Sequence, residues 1–381
     1  MGFFTRGSSP SFKQWTTAQD GLDKLTLGDA RLPSPKDGEV LVKIHAVSLN
    51  YRDTEVCMGE YGHHVSIAPG SILVPCSDMC GVVVESRSPR FATGARVLSI
   101  FNQTHLTGQV RESDLASGLG LPLPGVLAEY RVFSGEGLVA APGYLSDEEA
   151  ACLPIAAVTA WMSINGFRPL GEPIDYSASA SEKRREEGDV APTVLLQGTG
   201  GVSVAGLQIA HAAGLRTVVT SSSDDKLERA SRELGAGTTI NYRTHWEWPG
   251  EVMKATGGRG ADVIFEVGGT RTLRKSFECV AFGGTIACIG YLSGKEDGEG
   301  EVQPGLGQLN VNVLALRRNV TLKGILNGPR DRFEEMLGFY ESKGIRPVVG
   351  RVFGFGEAKE ALRYLYEGKH FGKVVVKVAD E

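Results

Sequence analysis

The sequence lacks a long apolar run, and it has no excess of positive charge. No stretch approaches the ~20 apolar residues that a membrane-spanning helix needs, and the opening segment MGFFTRGSSPSFKQW has no apolar centre of the signal-peptide kind. The formal net charge is −5, and no basic run is interleaved with aromatic residues, as a nucleic-acid surface would favour. These absences predict a cytoplasmic protein that binds neither nucleic acid nor membrane.

Cysteine is scarce and is not spaced as in common metal sites. The chain has six cysteines and no CxxC pair, which is typical of reduced thiols in an intracellular protein. Cys76 and Cys80 lie four positions apart, and Cys57, His63 and His64 are the neighbours that could complete a metal site. Because such a site would need further ligands from these few candidates, buried thiols are the favoured interpretation and no metal is expected.

Glycine, by contrast, is abundant, and one cluster of glycines separates an apolar run from a helical pattern. The run VLLQ from Val194 is short and branched enough for a buried strand, and it stops at GTGGVS. Apolar residues then recur at helical spacing, so that a tight turn would bring backbone N–H groups to a phosphate. The match to GxGxxG is imperfect because Ser203 stands where the third glycine would be. The residues expected at a dinucleotide pyrophosphate are Gly198, Thr199, Gly200, Gly201 and Val202.

The end of the next strand indicates which dinucleotide is bound. NAD-binding proteins usually place a carboxylate there for the ribose 2′-hydroxyl. Here the sequence offers hydroxyls and a cation, which suit a 2′-phosphate and favour NADP(H) over NAD(H). Asp224 and Asp225 follow closely and are expected to cap the next helix. The residues expected at the phosphate are Ser221, Ser222, Ser223 and Lys226.

The pattern of the chain divides it into two kinds of structure. The segment before about residue 140 consists of short β runs broken by proline and glycine, as in an antiparallel, partly barrelled domain. Ser146 and Glu149 form a predicted capping box ahead of an apolar run. From Val194 onward strands and helices alternate, which predicts a parallel, doubly wound sheet and an α/β fold class.

This arrangement, with PCSDMCGVV from Pro75, GVLAEY from Gly125 and QGTGGVS from Gln197, resembles the medium-chain dehydrogenase/reductase superfamily. It is most similar to the zinc-independent, quinone-oxidoreductase-like and alcohol dehydrogenase-like branch. The resemblance implies a GroES-like catalytic domain over residues 1–155, completed by residues 325–381. It also implies a Rossmann NADP(H)-binding domain over residues 156–324.

The same resemblance bears on zinc. Where zinc members of the superfamily carry a cysteine, a histidine and a third ligand, this sequence places Asn50, Ser77 and Ile155, and Asp78 stands at the position of their glutamate. Residues 97–130 contain no cysteine for a structural zinc lobe. Without a Lewis acid, abstracting hydride from an alcohol is difficult, whereas adding hydride to an electron-poor C=C or quinone is easier.

Further cofactor contacts are implied by the resemblance. Ser222, Lys226 and Tyr242, the last in TTINYR, match the pattern that binds the 2′-phosphate of NADPH in this branch. The other positions carried over are Thr159, Val267, Gly268, Gly290, Tyr291 and Lys373.

The catalytic candidates are Asn50, Tyr51 and Asp53, which fall in the active-site loop of the family. Tyr51 would donate a hydrogen bond or a proton to a substrate oxygen, Asn50 would orient the substrate, and Asp53 would pair with Arg52 or a base. The expected function is NADPH-dependent hydride transfer to a conjugated carbonyl, quinone or enoyl acceptor, with a trans-acting enoyl reductase as a variant. A zinc-free alcohol or aldehyde dehydrogenase and a non-catalytic dinucleotide-binding redox sensor remain the alternatives. No G-x-S-x-G elbow supports hydrolysis.

The resemblance also implies the partners. These are a small-molecule substrate and a second copy of the chain, in a homodimer joined edge to edge through the nucleotide-domain sheets. The segment Gly283–Tyr291 is expected to be the edge strand.

Overall fold

The computed structural model describes residues 10–62, 67–68, 70–165, 191–294 and 310–379. They divide into two compact units. The first unit comprises the described residues of Met1–Ala156, Gly328–Ser342 and Arg346–Glu381, and the second those of Ala157–Asn327 and Lys343–Ile345. His63 and His64, considered above as metal ligands, lie outside the described ranges. Within these ranges no helix is both long and apolar enough to cross a membrane.

The described residues form fifteen strands. They are β1 (Ser11–Thr16), β2 (Thr26–Arg31), β3 (Glu39–Leu49), β4 (Asp78–Ser86), β5 (Arg96–Ser99), β6 (Tyr130–Ser134), β7 (Leu138–Ala140), β8 (Thr193–Gln197), β9 (Arg216–Ser221), β10 (Thr238–Asn241), β11 (Ala261–Glu266), β12 (Val280–Cys288), β13 (Thr321–Gly324), β14 (Val349–Gly354) and β15 (Lys373–Lys377).

Helices connect many of these strands. The α-helices are Tyr51–Met58, Glu112–Leu115, Asp147–Ala151, Val158–Asn165, Gly201–Ala212, Asp224–Leu234, Trp248–Ala255, Leu273–Cys279, Val311–Arg318, Arg330–Lys343 and Ala358–Tyr366. Short 3₁₀ turns span Leu22–Lys24, Gly135–Gly137 and Phe355–Glu357, and a π-helical turn spans Leu153–Ala157.

The first unit is built on a seven-stranded sheet in the order β14-β15-β3-β4-β5-β7, with β6 also paired to β3. All of its pairings are antiparallel except that of β14 with β15. The long strand β3 is almost wholly buried, and both of its edges are paired: β4 lies along one edge, and β6 and β15 lie along the other. Strand β15 pairs with the end of β3, from Val374 opposite Leu49 to Lys377 opposite Ala46, so the last segment of the chain lies beside residues 46–49.

The second unit contains a six-stranded parallel sheet in the order β10-β9-β8-β11-β12-β13. Counted along the chain this order is 3-2-1-4-5-6, the order of the Rossmann fold, with the change of direction beside β8. Every residue of β8 is buried, as expected for a central parallel strand. The predicted α/β fold class is therefore confirmed.

One expectation about this sheet is wrong. Strand β12, which contains most of the segment Gly283–Tyr291, lies between β11 and β13 and is not an edge. The four-residue strand β13 pairs with it in parallel, from Thr285 opposite Thr321 to Cys288 opposite Gly324, and covers its outer side. On this side the edge strand of the described sheet is therefore β13, and β10 is the edge strand on the other side.

The predicted capping box at Ser146 is confirmed, but the apolar run after it is not one helix. The Ser146 N–H donates to Glu149 Oε2 at 2.9 Å, and the Glu149 N–H donates to Ser146 Oγ at 3.2 Å. The helix ends at Ala151 and gives way to the π-helical turn, which contains Pro154, before Val158–Asn165 resumes the α form. Proline has no N–H to continue an α-helical ladder, so the break follows from Pro154.

Candidate functional site

The glycine turn of the second unit leads directly into the start of a helix. Gly198 has φ +77, a backbone conformation that favours glycine, and its N–H donates to Thr220 O at 2.8 Å. The following helix begins at Gly201, and its N-cap residue Gly200 provides no side-chain hydrogen bond. The N–H groups of the first helical turn, from Gly201 and Val202 onward, therefore suit a pyrophosphate.

Ser203, at the imperfect position of the motif, has a structural role. It is buried, and its Oγ donates to Gln197 O at 2.7 Å, which fastens the first turn of the helix to the end of β8. Close packing of helix and strand is provided instead by Gly206, where an added Cβ would lie 2.5 Å from Phe265 and 2.8 Å from Leu196. Ser203 thus stands at the position of the third glycine and binds the end of β8, whereas the close packing of helix and strand depends on Gly206.

The residues predicted at the 2′-phosphate converge at the end of β9. Ser223 is the N-cap of helix Asp224–Leu234, and its Oγ accepts from the Lys226 N–H at 3.4 Å. The Tyr242 N–H donates to Ser221 O at 3.0 Å, which brings the end of β10 to the same place. Burial lowers the pKa of Lys226.

The expectation that Asp224 and Asp225 cap this helix is corrected, because Ser223 is the capping residue and both aspartates lie in the first turn. The Asp224 carboxylate has another partner: Asn241 Nδ2 donates to its Oδ1 at 2.7 Å. This bond ties the carboxylate to the end of β10.

A buried carboxylate organises the neighbouring loop at the end of β11. Glu266 is 1% exposed, and its Oε1 accepts from the N–H groups of Gly268 and Gly269, each at 3.0 Å, and from Thr272 Oγ1. The loop that contains the predicted cofactor residues Val267 and Gly268 is therefore held by the side chain directly before it.

The same carboxylate links this loop to the glycine turn. Gln197, the residue before Gly198, donates from Nε2 to Glu266 Oε2 at 2.9 Å and to Ser276 Oγ at 2.9 Å. Gln197 Oε1 accepts from the Val267 N–H at 3.2 Å, and Ser276 Oγ also donates to Glu266 Oε2. Two loops at the carboxyl edge of the sheet are thus fixed to one another through Gln197 and Glu266.

The remaining cofactor candidates of the second unit occupy two places. The Gly290 N–H donates to Glu266 O at 3.3 Å, and an added Cβ at Gly269 would lie 2.9 Å from Tyr291 Cα, so Gly290 and Tyr291 adjoin the loop. Thr159 lies on helix Val158–Asn165, where it is 3% exposed and its carbonyl accepts from Ser163 Oγ at 2.7 Å.

In the first unit the catalytic candidates form the start of one helix. Asn50 is the N-cap of Tyr51–Met58, and its N–H donates to Asp53 Oδ2 at 2.8 Å. The Tyr51 ring is 38% exposed and stacks on Tyr366 at 6.2 Å between centroids. Burial raises the pKa of Tyr51, with nearby Glu55 adding to the effect, so its hydroxyl stays protonated and able to donate at neutral pH.

Asp53 has a structural partner, and the Arg52 guanidinium binds elsewhere. Asp53 is fully buried, with Oδ2 in the capping bond and Oδ1 without a hydrogen-bond partner. Arg52 donates to Leu119 O at 3.0 Å and to Leu121 O at 2.8 Å. Burial raises the pKa of Asp53 to about 6, against the opposing charge of Arg52.

This raised pKa predicts a pH-dependent stability. A carboxyl with a higher pKa in the folded than in the unfolded chain binds more protons when folded, so its contribution to stability falls as pH rises from about 4 to about 6. Asp53→Asn removes that loss, and its Tm relative to the unsubstituted protein should increase across this range in thermal unfolding scans.

Asp114 provides a matched control, because its pKa is lowered whereas that of Asp53 is raised. It accepts the same type of bond, from the Arg111 N–H at 2.9 Å, and that bond lowers its pKa. Asp114→Asn should therefore lose Tm relative to the unsubstituted protein as pH rises, since the ionised carboxylate is the stabilising form. Parallel trends for the two variants would contradict the assignment for Asp53.

The residues at the positions of metal ligands do not fit a zinc ion. Asn50 Oδ1 accepts from Lys373 Nζ at 2.6 Å, Ser77 Oγ donates to Asp78 Oδ1 at 2.8 Å, and Ile155 has no donor atom in its side chain. The described ranges contain no group of three His, Cys, Asp or Glu side chains placed to hold a metal.

The cysteines considered for a metal site are buried thiols. Cys57, Cys76 and Cys80 are each at most 1% exposed, and burial raises the pKa of all three. Cys80 Sγ donates to Asp147 Oδ1 at 3.2 Å. Raised pKa values disfavour the thiolate that zinc requires.

Sequence reasoning missed Gln197, Glu266 and Gly206. Gln197 and Glu266 end consecutive inner strands of the sheet, β8 and β11, and a polar residue closing an apolar strand was a signal that could have found both. Gly206 is the glycine three residues after Ser203 in the helical pattern.

Comparison with known proteins matches both units. Residues 36–143 match the alcohol dehydrogenase GroES-like domain, and residues 201–342 match the zinc-binding dehydrogenase family. A zinc-type alcohol dehydrogenase-like protein of Schizosaccharomyces pombe is 38% identical over 361 residues, which cover 94% of this chain and 96% of that protein. A quinone oxidoreductase-like protein 2 homolog of Nematostella vectensis is 25% identical, over 89% of this chain and 81% of its own length. A solved NAD-dependent alcohol dehydrogenase is 32% identical with a TM-score of 0.77, covering 97% of this chain and 100% of that one.

Proposed function

Because the chain belongs to the medium-chain dehydrogenase/reductase superfamily, we propose that it is a zinc-independent, NADPH-dependent reductase of conjugated carbonyl, quinone or enoyl acceptors. Membership makes it an oxidoreductase that uses a nicotinamide dinucleotide. The choice of NADPH, the acceptor class and the independence from zinc are the parts that we propose.

One observation carries the proposal: the residues at the metal-ligand positions offer an amide, a hydroxyl and an alkyl group. Asn50 and Ser77 bind other side chains, and Ile155 has no ligand atom. Oxidising an alcohol benefits from a Lewis acid on its oxygen, whereas a conjugated acceptor is already polarised toward hydride. The donor set of this site therefore favours reduction of an electron-poor acceptor.

NADPH is supported by the groups at the end of β9. Ser221, Ser223 and Lys226 offer hydroxyls and a cation, which complement a phosphate dianion. Asp224, the nearest carboxylate in the chain, is bonded to Asn241. The carboxylate that NAD(H) binding would favour at the end of β9 is absent there: Ser221 and Ser222 hold that place, and Asp224 lies in the first turn of the following helix.

When bound, the reduced nicotinamide supplies a hydride. On a conjugated ketone, hydride addition at the β-carbon would move the C=C electrons toward the carbonyl oxygen, and a proton from water at the α-carbon would complete the reduction. Tyr51 would donate a hydrogen bond to that oxygen as negative charge develops on it, and its raised pKa keeps the proton in place. Asn50 would orient the start of the helix from which Tyr51 projects.

Steady-state assays with NADPH test the proposal on three conjugated acceptor classes, quinones, enones and enoyl thioesters. Simple aldehydes with NADPH and simple alcohols with NADP⁺ are measured beside them. We expect kcat/KM for at least one conjugated class to exceed that for aldehydes and alcohols by about 100-fold or more, because hydride addition to those acceptors needs no metal. Preference for an alcohol would favour the alternative suggested by the names of the yeast relative and the solved structure. NADPH binding without turnover on any acceptor would favour a redox sensor.

We also propose a homodimer joined through β13 and the helix Val311–Arg318. Strand β13 ends the described sheet, and this helix has no buried residue. Leu316 is 84% exposed, and Phe282, on the adjoining strand β12, is 77% exposed. An open parallel strand beside exposed apolar side chains suits pairing with a second copy of the same chain.

Leu316→Glu should therefore halve the molar mass measured by size-exclusion chromatography with light scattering. The charge would be buried without a partner at the proposed interface, which is strongly unfavourable. Ile72→Glu is the matched control, since Ile72 is 76% exposed in the first unit, and it should stay dimeric. A monomeric unsubstituted protein, or an unchanged mass for Leu316→Glu, would contradict this interface.

A further inference from the structure

The three positions at which zinc members of the superfamily carry ligands are connected here through two buried charges. Ser77 Oγ and the Ile155 N–H donate to the two oxygens of Asp78, at 2.8 and 3.1 Å. Asn50 Oδ1 accepts from Lys373 Nζ at 2.6 Å. Lys373 and Asp78 thus form hydrogen bonds with the residues at all three positions.

Both charged groups are removed from water. Lys373 is 5% exposed and Asp78 is fully buried. A buried charge is tolerated when it is paired and hydrogen-bonded, and removing one partner leaves the other strongly destabilising. Burial raises the pKa of Asp78, and the charge of Lys373 opposes that rise, which indicates that the two groups interact.

Asn50 stands between the two charges. An ammonium group can only donate, so the Asn50 oxygen must face Lys373 and its Nδ2 must point elsewhere. The Asn50 amide lies close enough to Asp78 to lower the pKa of that carboxyl, although Nδ2 makes no hydrogen bond of standard geometry. The bond to Lys373 therefore fixes the orientation of the residue that caps the helix of Tyr51.

We propose that the Lys373 ammonium supplies the fixed positive charge of this site and acts, with Asp78, as a positioning residue for Asn50 and the helix start that carries Tyr51. The catalytic part of this inference rests on the proposed function. In this chain the hydrogen bonds of two buried charged groups, Lys373 and Asp78, take up the positions that a metal and its ligands would otherwise organise.

This role differs from a cofactor contact. Two of the three N–H groups of the ammonium are satisfied inside the first unit, by Leu49 O at 2.7 Å and by Asn50 Oδ1. Strand pairing between β15 and β3 holds Lys373 there, because Val374 is paired with Leu49.

A double-mutant cycle tests the pair through stability. Lys373→Met and Asp78→Asn should each lower Tm by about 10 °C, because each removes a buried charge whose field offsets the burial of the opposite charge. The double variant should lose clearly less than the sum of the two losses, since it leaves neither charge. If Lys373→Met alone yields no folded protein, the double variant should still fold. Additive losses, or a double variant that is unfolded, would overturn the proposal.

Three further measurements separate positioning from a merely structural role. Lys373→Met should lower kcat at least 10-fold while the Kd for NADPH, measured by fluorescence, changes less than about 3-fold, because the residue acts through Asn50. Lys373→Arg retains the charge and should recover most of the lost kcat. Lys377→Met, at the more exposed end of the same strand, is the matched control and should leave Tm and kcat unchanged.

The opposite split would overturn the proposal. A Lys373→Met protein with unchanged Tm and kcat, but a Kd for NADPH raised 10-fold or more, would show a cofactor contact. The double-mutant stability cycle and the NADPH titration need no turnover, so they still test the role of Lys373 if the unsubstituted protein reduces none of the acceptors. That lack of activity would contradict the proposed function only.

Discussion

Replacing Lys226 with alanine is expected to weaken NADPH binding roughly 10- to 100-fold and to leave NADH binding within about a factor of two. A hydrogen bond to a charged group contributes about 1.5–3 kcal/mol, and only NADPH carries the 2′-phosphate that would receive it. Lys226 lies in the first turn of the helix that Ser223 caps, beside the end of β9. Titrations of both dinucleotides, followed by fluorescence, measure the two dissociation constants directly.

Lys254→Ala is the matched control for this experiment. Lys254 lies in the same unit, its side chain is 80% exposed, and it forms only a long ion pair with Glu251 at 3.8 Å. Both dissociation constants should be unchanged in that variant, apart from a small effect of net charge. Equal weakening of NADPH and NADH by Lys226→Ala, or tighter binding of NADH than of NADPH by the unsubstituted protein, would contradict the assignment of NADPH.

Replacing Glu266 with leucine is expected to destabilise the protein strongly. The substitution leaves the N–H groups of Gly268 and Gly269 and the side chains of Gln197, Thr272 and Ser276 without their acceptor in a buried place. Each buried polar group left unsatisfied costs about 1–3 kcal/mol, and partial relaxation makes a total loss of about 4 kcal/mol reasonable. Thermal unfolding should show a Tm lower by about 10 °C.

The same substitution should also weaken dinucleotide binding, because Glu266 and Gln197 hold the loop of Val267 to the glycine turn. We expect a rise of at least 10-fold in the Kd for NADPH, with NADH affected equally, since the loop follows β11 whereas the residues proposed at the 2′-phosphate follow β9. Glu251→Gln, at an exposed carboxylate of the same unit, should change neither Tm nor Kd. A Glu266→Leu protein of normal stability and normal affinity would refute the role assigned to this network.

Local patterns in the sequence were sufficient to predict the fold class and individual helices and strands. The run VLLQ followed by glycines predicts β8 and the helix Gly201–Ala212, because a buried central strand and a phosphate-binding turn each leave a local signature. Ser146 with Glu149 predicts a helix start for the same reason. The edge strand was predicted wrongly, at Gly283–Tyr291 instead of β13, because the pairing of strands is a long-range property.

The hydrogen-bond partners of the charged side chains in the site could not be predicted from the sequence. Lys373 and Asn50 are 323 positions apart, and Gln197 and Glu266 are 69 apart. Periodicity records which face of a strand is buried, but it does not record which strand lies beside it. Lys373 matched a cofactor pattern by resemblance, whereas its contacts depend on the pairing of β15 with β3, which no local pattern encodes.

The central claim is that reduction of a conjugated acceptor by NADPH needs no metal in this chain. The most direct measurement is NADPH oxidation with a quinone or enone by protein treated with a chelator and shown by elemental analysis to be free of zinc, with and without added zinc. We expect full activity in the metal-free protein and no gain on adding zinc, because Asn50, Ser77 and Ile155 do not form a zinc site. Activity that is lost on chelation and restored by zinc would contradict it.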